Sequence, residues 1–326
     1  VIRRAVVTTA ALGAAVVSIG PVSDRIARRL MAAPRRLPEE AGMAARLDRL
    51  GGEVVRLRSR DGVRLTGRWL AAEPGEDDWF PDPREAILLL HGYSGSVTPD
   101  LVELGPFLRR TAGVLGLDFR GHGGSDDAPT TFGVNEVEDV AGALAWLGER
   151  GVRRVAMVGS SMGGITAIAA TAVLGDGRLA AADIEADAPA AASEAPRPRI
   201  VALVADSVAP EVALVVGRRM GLPGGVRLAG HAFARFPRLV GGDPRATQPI
   251  ATVGLVEDVP LLLVHGGADR LIPGKAAARL AAAAPAGTRH LVVDGAGHGE
   301  SHHTDPEAWE AAAGELLRTA FHDARG

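Results

Sequence analysis

The chain has 326 residues, 47% of them hydrophobic and 23% charged, and its 36 basic and 39 acidic side chains leave a formal net charge of −3. That length is ample for a large buried core, and the near-even charge balance offers no basic face for nucleic acid. Cysteine is absent, Lys275 is the sole lysine and aromatic residues make up 4%, which removes thiolate nucleophiles, disulfides and cysteine-based zinc sites and argues against aromatic stacking platforms.

Residues 5–20 carry no charge and follow Arg3 and Arg4. A spanning helix takes ~20 apolar residues and a secretory apolar region ~7–15, so this run sits between the two. Residues 22–37 then set Arg25, Arg28, Arg29, Arg35 and Arg36 around Ile26, Leu30 and Met31, a basic amphipathic pattern suited to a membrane surface. Three readings follow. The favoured one is an uncleaved anchor, which makes residues 1–49 a separate hydrophobic and basic segment that holds the protein at a membrane. A cleaved leader ending near Ser18 and Gly20 is the second. The third is a helix lying on the globular domain of a cytoplasmic protein.

From residue 50 the pattern alternates between strands and helices. Glu53–Arg58 and 63–70 are short strands joined across Asp61-Gly62, a hairpin dipeptide. Continuous apolar runs at 86–90, 113–117, 155–158, 200–204, 261–264 and 291–293 read as strands buried on both faces, as in a parallel sheet. Between them, 135–150 carries an apolar stripe with Asn135 and Glu138 spaced as a capping box, and the final helix opens at Asp305-Pro306. The alternation predicts a mostly parallel, doubly wound α/β sheet over 50–326. Two stretches interrupt it: 175–199, poor in large apolar residues and read as a flexible insertion, and 208–252, read as a short helical cap.

The chemistry is expected at strand ends. Gly159-Ser160-Ser161-Met162-Gly163 follows one strand and opens the helix 162–174, the context a G-x-S-x-G nucleophile elbow requires. Ser161 occupies the nucleophile position, and the helix start brings backbone N–H groups beside it. His91-Gly92-Tyr93-Ser94-Gly95 ends an earlier strand, where the Tyr93 N–H can join the Met162 N–H as an oxyanion donor. His91 reads as a loop-structuring residue. A serine needs a base and the base an orienting acid; His298 and Asp269 each follow their own strand, on the same sheet edge as Ser161. Asp206, after the strand 200–204, is the competing acid.

Together HGYSGS, LDFRGHGGSD, GSSMGG, HGGADRLIP and GAGH resemble the α/β-hydrolase superfamily, nearest its serine aminopeptidase and esterase-lipase branch. The resemblance covers about residues 50–322. It implies Ser161 as nucleophile, Asp269 as acid, His298 as base, and Tyr93 and Met162 as oxyanion donors, with His122 as scaffold. It implies neither metal nor cofactor. The expected activity is hydrolysis of an ester or related acyl bond in a small molecule, through an acyl-enzyme. The alternatives are an aminopeptidase-like amide hydrolase and a catalytically silent binding module.

Overall fold

Eight strands form one sheet in the order β1-β2-β4-β3-β5-β6-β7-β8 in the computed structural model, which describes residues 20–325 apart from 34, 36–40, 76–78, 94, 176–195, 241 and 243–245. β1 (Glu53–Arg58) and β2 (Arg64–Leu70) are the expected antiparallel hairpin, with Gly62 at φ +94° in its turn. β2 runs antiparallel to β4 (Gly113–Asp118). The remaining strands, β3 (Glu85–Leu90), β5 (Arg154–Ser160), β6 (Arg199–Asp206), β7 (Leu261–Gly266) and β8 (Arg289–Val293), pair in parallel. β3, β4 and β7 are buried at every residue, as their unbroken apolar runs require when helices cover both faces.

Two apolar layers follow. On one face, helices α4 (Glu136–Glu149) and α5 (Met162–Leu174) pack Val140, Leu144, Ile165 and Ile168 against Leu88, Leu90 and Met157. On the other, α3 (Val97–Leu108) and α12 (Pro306–Arg325) pack Leu101, Trp309 and Leu317 against Ile87, Leu89, Ala156 and Val204. The capping box expected at α4 is not formed. Asn135 makes no side-chain cap; the Glu136 carboxylate accepts from the Thr131 and Gly133 N–H groups, and Glu138 pairs with Arg60 instead. The Asn135 N–H that Glu138 would have capped donates to Thr131 Oγ1 at 2.7 Å.

The N-terminal segment does not stand apart from this domain. A helix, α1, covers residues 20–31. It buries Ser23, Ala27 and Met31 and rests Ile26 and Leu30 on the α4–α5 layer, while Arg25, Arg28 and Arg29 stay exposed. The Tyr93 hydroxyl donates to Leu30 O at 3.0 Å, and the Thr130 N–H donates to Met31 O at 2.9 Å. Arg35 donates to Asp127, Gly123 O and Ser125 O, and α2 (Ala41–Arg49) sinks Leu47 into the opposite layer. The amphipathic stripe of α1 therefore faces protein, and a boundary at 49/50 falls inside packed structure. Residues 1–19, which hold nearly all of the apolar run, and the insertion core 176–195 lie outside the described residues. Among those described, no helix is long and apolar enough to cross a membrane.

The cap stretch yields α6 (Val212–Arg219), α7 (Gly225–Phe233), α8 (Phe236–Val240) and α9 (Pro249–Thr252). α6 and α7 cross closely: a Cβ on Gly217 would lie 2.3 Å from Val226 Cα, so only glycine fits there. α9 returns to pack on α5 rather than joining the cap. Beyond the cap, α10 (Gly274–Ala283) lies between β7 and β8, and α11 (Ser301–Thr304) follows the loop after β8.

Candidate active site

Ser161 sits between β5 and α5 with φ 50° and ψ −112°, a left-handed-side conformation that a non-glycine residue adopts under strain of about 1–3 kcal/mol. Two glycines make the turn possible. A Cβ on Gly163 would lie 2.1 Å from Leu90 O, and one on Gly159 would lie 2.5 Å from Gly163 C. The backbone locks the bend, since the Ser161 N–H donates to Asp206 O at 2.8 Å and Ser161 O accepts from the Ile165 N–H at 3.0 Å. The bend sets Ser161 at the head of α5, with its Oγ towards His298.

The structure brings Ser161, His298 and Asp269 together. Ser161 Oγ lies 3.0 Å from His298 Nε2, and His298 Nδ1 lies 2.8 Å from Asp269 Oδ2. The Asp269 side chain is fully buried, and its other oxygen accepts the Leu271 and Ile272 N–H groups at 2.7 and 2.9 Å. Burial pushes this carboxyl up, but the His298 bond and the two backbone donors outweigh it and hold it below the ordinary carboxylate value. Asp269 is thus an anion pinned in orientation. It keeps the Nδ1–H tautomer of the imidazole, which leaves Nε2 as an acceptor for the serine proton.

Asp206, the competing acid, points elsewhere. It accepts from Ser207 Oγ (2.8 Å), Ser301 Oγ (3.0 Å) and Trp309 Nε1 (3.2 Å). Burial raises its carboxyl above the ordinary value against the pull of those three donors. Ser207, which sequence reasoning did not single out, has φ 55° and uses its Oγ to accept the Gly299 N–H at 2.9 Å. Asp206 therefore anchors Ser207, and Ser207 fixes the residue that follows His298. A positive φ at a serine after a strand leaves no trace in sequence.

The loop at 92–93 passes beside the serine, with a Cβ on Gly92 placed 3.6 Å from Ser161 Cβ. Buried His91 shapes this loop. Its Nε2 accepts the Phe119 N–H at 3.1 Å, which leaves Nδ1 to donate to Gly92 O at 2.7 Å. Burial, and then the neighbouring His122, push its pKa down to about 3, so the ring is neutral. The Tyr93 ring stacks on Phe132 at 4.8 Å, and Phe132 meets Phe233 of α7 edge-on at 5.4 Å. Buried His122 holds Arg120 O at 2.9 Å and meets the Tyr93 ring edge-on at 6.0 Å.

Ser161 and His298 open into a cavity of about 740 Å³, within the range of small-molecule sites. Tyr93, Phe132, Met162, Ile165 and the α6 residues Val212, Val215 and Val216 line it, and α1 closes one side with Ile26, Arg29 and Leu30, followed by Ala32. That wall was not expected from sequence. The described residues gather no group of three His, Asp or Glu side chains able to hold a metal ion.

A family model described as the alpha/beta hydrolase family matches residues 87–313. The uncharacterized protein YfhR of Escherichia coli O157:H7 is 22% identical over 252 residues, 77% of this chain and 75% of that protein. Among solved structures, the esterase Pf2001 of Pyrococcus furiosus aligns with a TM-score of 0.65 at 22% identity, over 89% of this chain and 98% of that one. A bacterial membrane phospholipase A aligns with a TM-score of 0.57 at 16% identity, over 98% of this chain and 99% of that one.

Proposed function

The chain belongs to the alpha/beta hydrolase family, and from that premise we propose that it is a serine hydrolase which cleaves a carboxylic ester through an acyl-enzyme on Ser161. The observation that carries this reading is the relay from Ser161 Oγ to His298 Nε2 at 3.0 Å and from His298 Nδ1 to Asp269 at 2.8 Å, set on a strained elbow. His298 takes the serine proton as Oγ attacks the carbonyl carbon. The developing imidazolium is stabilised by the Asp269 anion, whose charge is in place beforehand. The tetrahedral oxygen is placed against the N–H groups of Met162, first residue of α5, and Tyr93, where fixed dipoles stabilise it without reorganisation. His298 then gives its proton to the departing alkoxide, and the same groups run water through the second half.

The apolar lining supports an acyl chain as the part of the substrate that is bound, and the esterase and phospholipase among the fold relatives agree with an ester bond. For residues 1–19 the proposal is attachment to a membrane surface, supported by their apolar run and by the exposed Arg25 and Arg28 that follow. The test of the enzymatic reading is a fluorophosphonate probe with the modified residue mapped, combined with a screen of para-nitrophenyl esters of rising chain length beside aminoacyl para-nitroanilides. Labelling at Ser161 with ester turnover is expected. No labelling of folded protein would point to a binding module, and faster anilide cleavage to an amide hydrolase.

A further inference from the structure

The active-site cavity carries cationic side chains at two places, and both are arginines. Arg29 comes from α1 and Arg219 from the last turn of α6, so the two line different walls, each an exposed residue. Among the described residues neither has a hydrogen-bond or ion-pair partner, and none of the cavity-lining residues is an aspartate or glutamate. Their neighbours are engaged. Arg218 donates to Arg270 O at 3.1 Å, and Asp24, the acid of α1, pairs with Arg235 at 3.4 Å. The wider surroundings have the same sign. Over residues 20–31 three arginines face one acid, and over 212–233 three arginines face none, in a chain whose net charge is −3. A concave site with low-dielectric walls focuses that positive field on its contents.

We propose that Arg29 and Arg219 form an anion subsite, and that the substrate is an ester amphiphile bearing one apolar chain and one carboxylate or phosphate. This rests on the serine-hydrolase reading and names its substrate class. The apolar chain lies along Ile26, Leu30, Phe132, Ile165 and Val216, and the anion meets the two guanidinium forks, whose paired N–H groups match a carboxylate or phosphate. Neutral esters of the same length occupy the same cavity and leave both forks without a partner.

The test has three arms on the full chain. The para-nitrophenyl monoester of nonanedioic acid is compared with para-nitrophenyl nonanoate, which places the anion on the acyl side. A monoacylglycerol phosphate is compared with the matching monoacylglycerol, which places it on the alcohol side. At least one anionic member is expected to exceed its neutral partner by about tenfold or more in kcat/KM, mainly through KM, as for one charge-assisted hydrogen bond. In Arg29→Gln and Arg219→Gln that ratio should fall towards one and lose its dependence on salt. The third arm needs no turnover: on Ser161→Ala protein, decyl phosphate should bind more tightly than decanol, and Arg29→Gln,Ser161→Ala should lose the difference. Equal or better use of the neutral ester in both pairs, or ratios that survive the glutamine variants, would overturn the subsite while ester hydrolysis stood. Tighter binding of decyl phosphate with no turnover of any ester would retain the subsite and remove the hydrolase reading, and equal binding of the two ligands would overturn the subsite again.

Discussion

Asp269→Asn isolates the role of the acid. Asp269 Oδ1 accepts from the Leu271 and Ile272 N–H groups, and Oδ2 faces His298 Nδ1 at 2.8 Å. An asparagine keeps its oxygen on the two backbone donors and so turns its amide NH2 towards Nδ1. The neutral imidazole must then carry its proton on Nε2, where Ser161 Oγ lies 3.0 Å away, and the serine has no base. A wrong tautomer of this kind costs about 10⁴-fold in kcat, or about 5.5 kcal/mol of barrier. Asp206→Asn has a different signature. Its oxygen still serves the Ser207 and Ser301 hydroxyls, but its NH2 meets the Trp309 Nε1–H, donor against donor. One buried unpaired donor costs about 1–3 kcal/mol of stability. Ester kinetics and thermal melts on both variants therefore separate them: Asp269→Asn keeps its melting temperature and loses turnover, while Asp206→Asn melts several degrees lower and holds kcat within about tenfold. A greater loss of turnover in Asp206→Asn would refute the assignment of the acid.

Ser161→Ala should lower kcat by about 10³-fold or more and abolish fluorophosphonate labelling, while Ser160→Ala stays active; a dead Ser160→Ala would shift the elbow by one residue. Met31→Ala, which empties a buried position at the end of α1, should cost about 2–5 kcal/mol in a denaturant titration. Removal of residues 1–33 strips the α1 wall from the cavity and should lower kcat/KM for long-chain esters more than for acetate, whereas removal of 1–19 alone should spare catalysis and release the protein from the membrane fraction. Asp82 accepts from Arg84 and Arg154, and the Arg84 bonds bring its pKa from 3.8 down to about 2. A carboxylate depressed on folding stabilises above its unfolded value and loses that effect as pH falls through its folded one. The stability gap between wild type and Asp82→Asn, followed by acid unfolding, should therefore be full above about pH 4 and close towards pH 2.

What could be read from sequence, and what could not, divides along a physical line. The buried strands were legible because a parallel sheet covered on both faces demands unbroken apolar runs, as at 86–90 and 261–264; the run 291–293, read the same way, instead forms the edge strand β8, where Val292 is exposed. The Ser161 turn was legible because no side chain fits at Gly159 or Gly163, so the pattern is a steric requirement carried within five residues. His298 and Asp269 could be placed because each follows a strand whose end lies on a known edge of the sheet. Where a residue's partner is distant in the chain, the pattern falls silent. The stripe Ile26, Ala27, Leu30 and Met31 reports that an apolar surface will cover it, and lipid and protein satisfy that stripe equally; only the fold shows Tyr93 and Thr130 binding its carbonyls. The expected capping box is displaced because Thr131 Oγ1 takes the Asn135 N–H and Arg60 takes the Glu138 carboxylate, competitors that spacing alone does not reveal. The consequence bears on function. The groups that would perform the chemistry lie in motifs, whereas the cavity wall that would select the substrate is built from α1 and α6, whose residues belong to none. Arg29 and Arg219 come from those two helices, so a relative can keep the whole serine relay and still differ in what it hydrolyses.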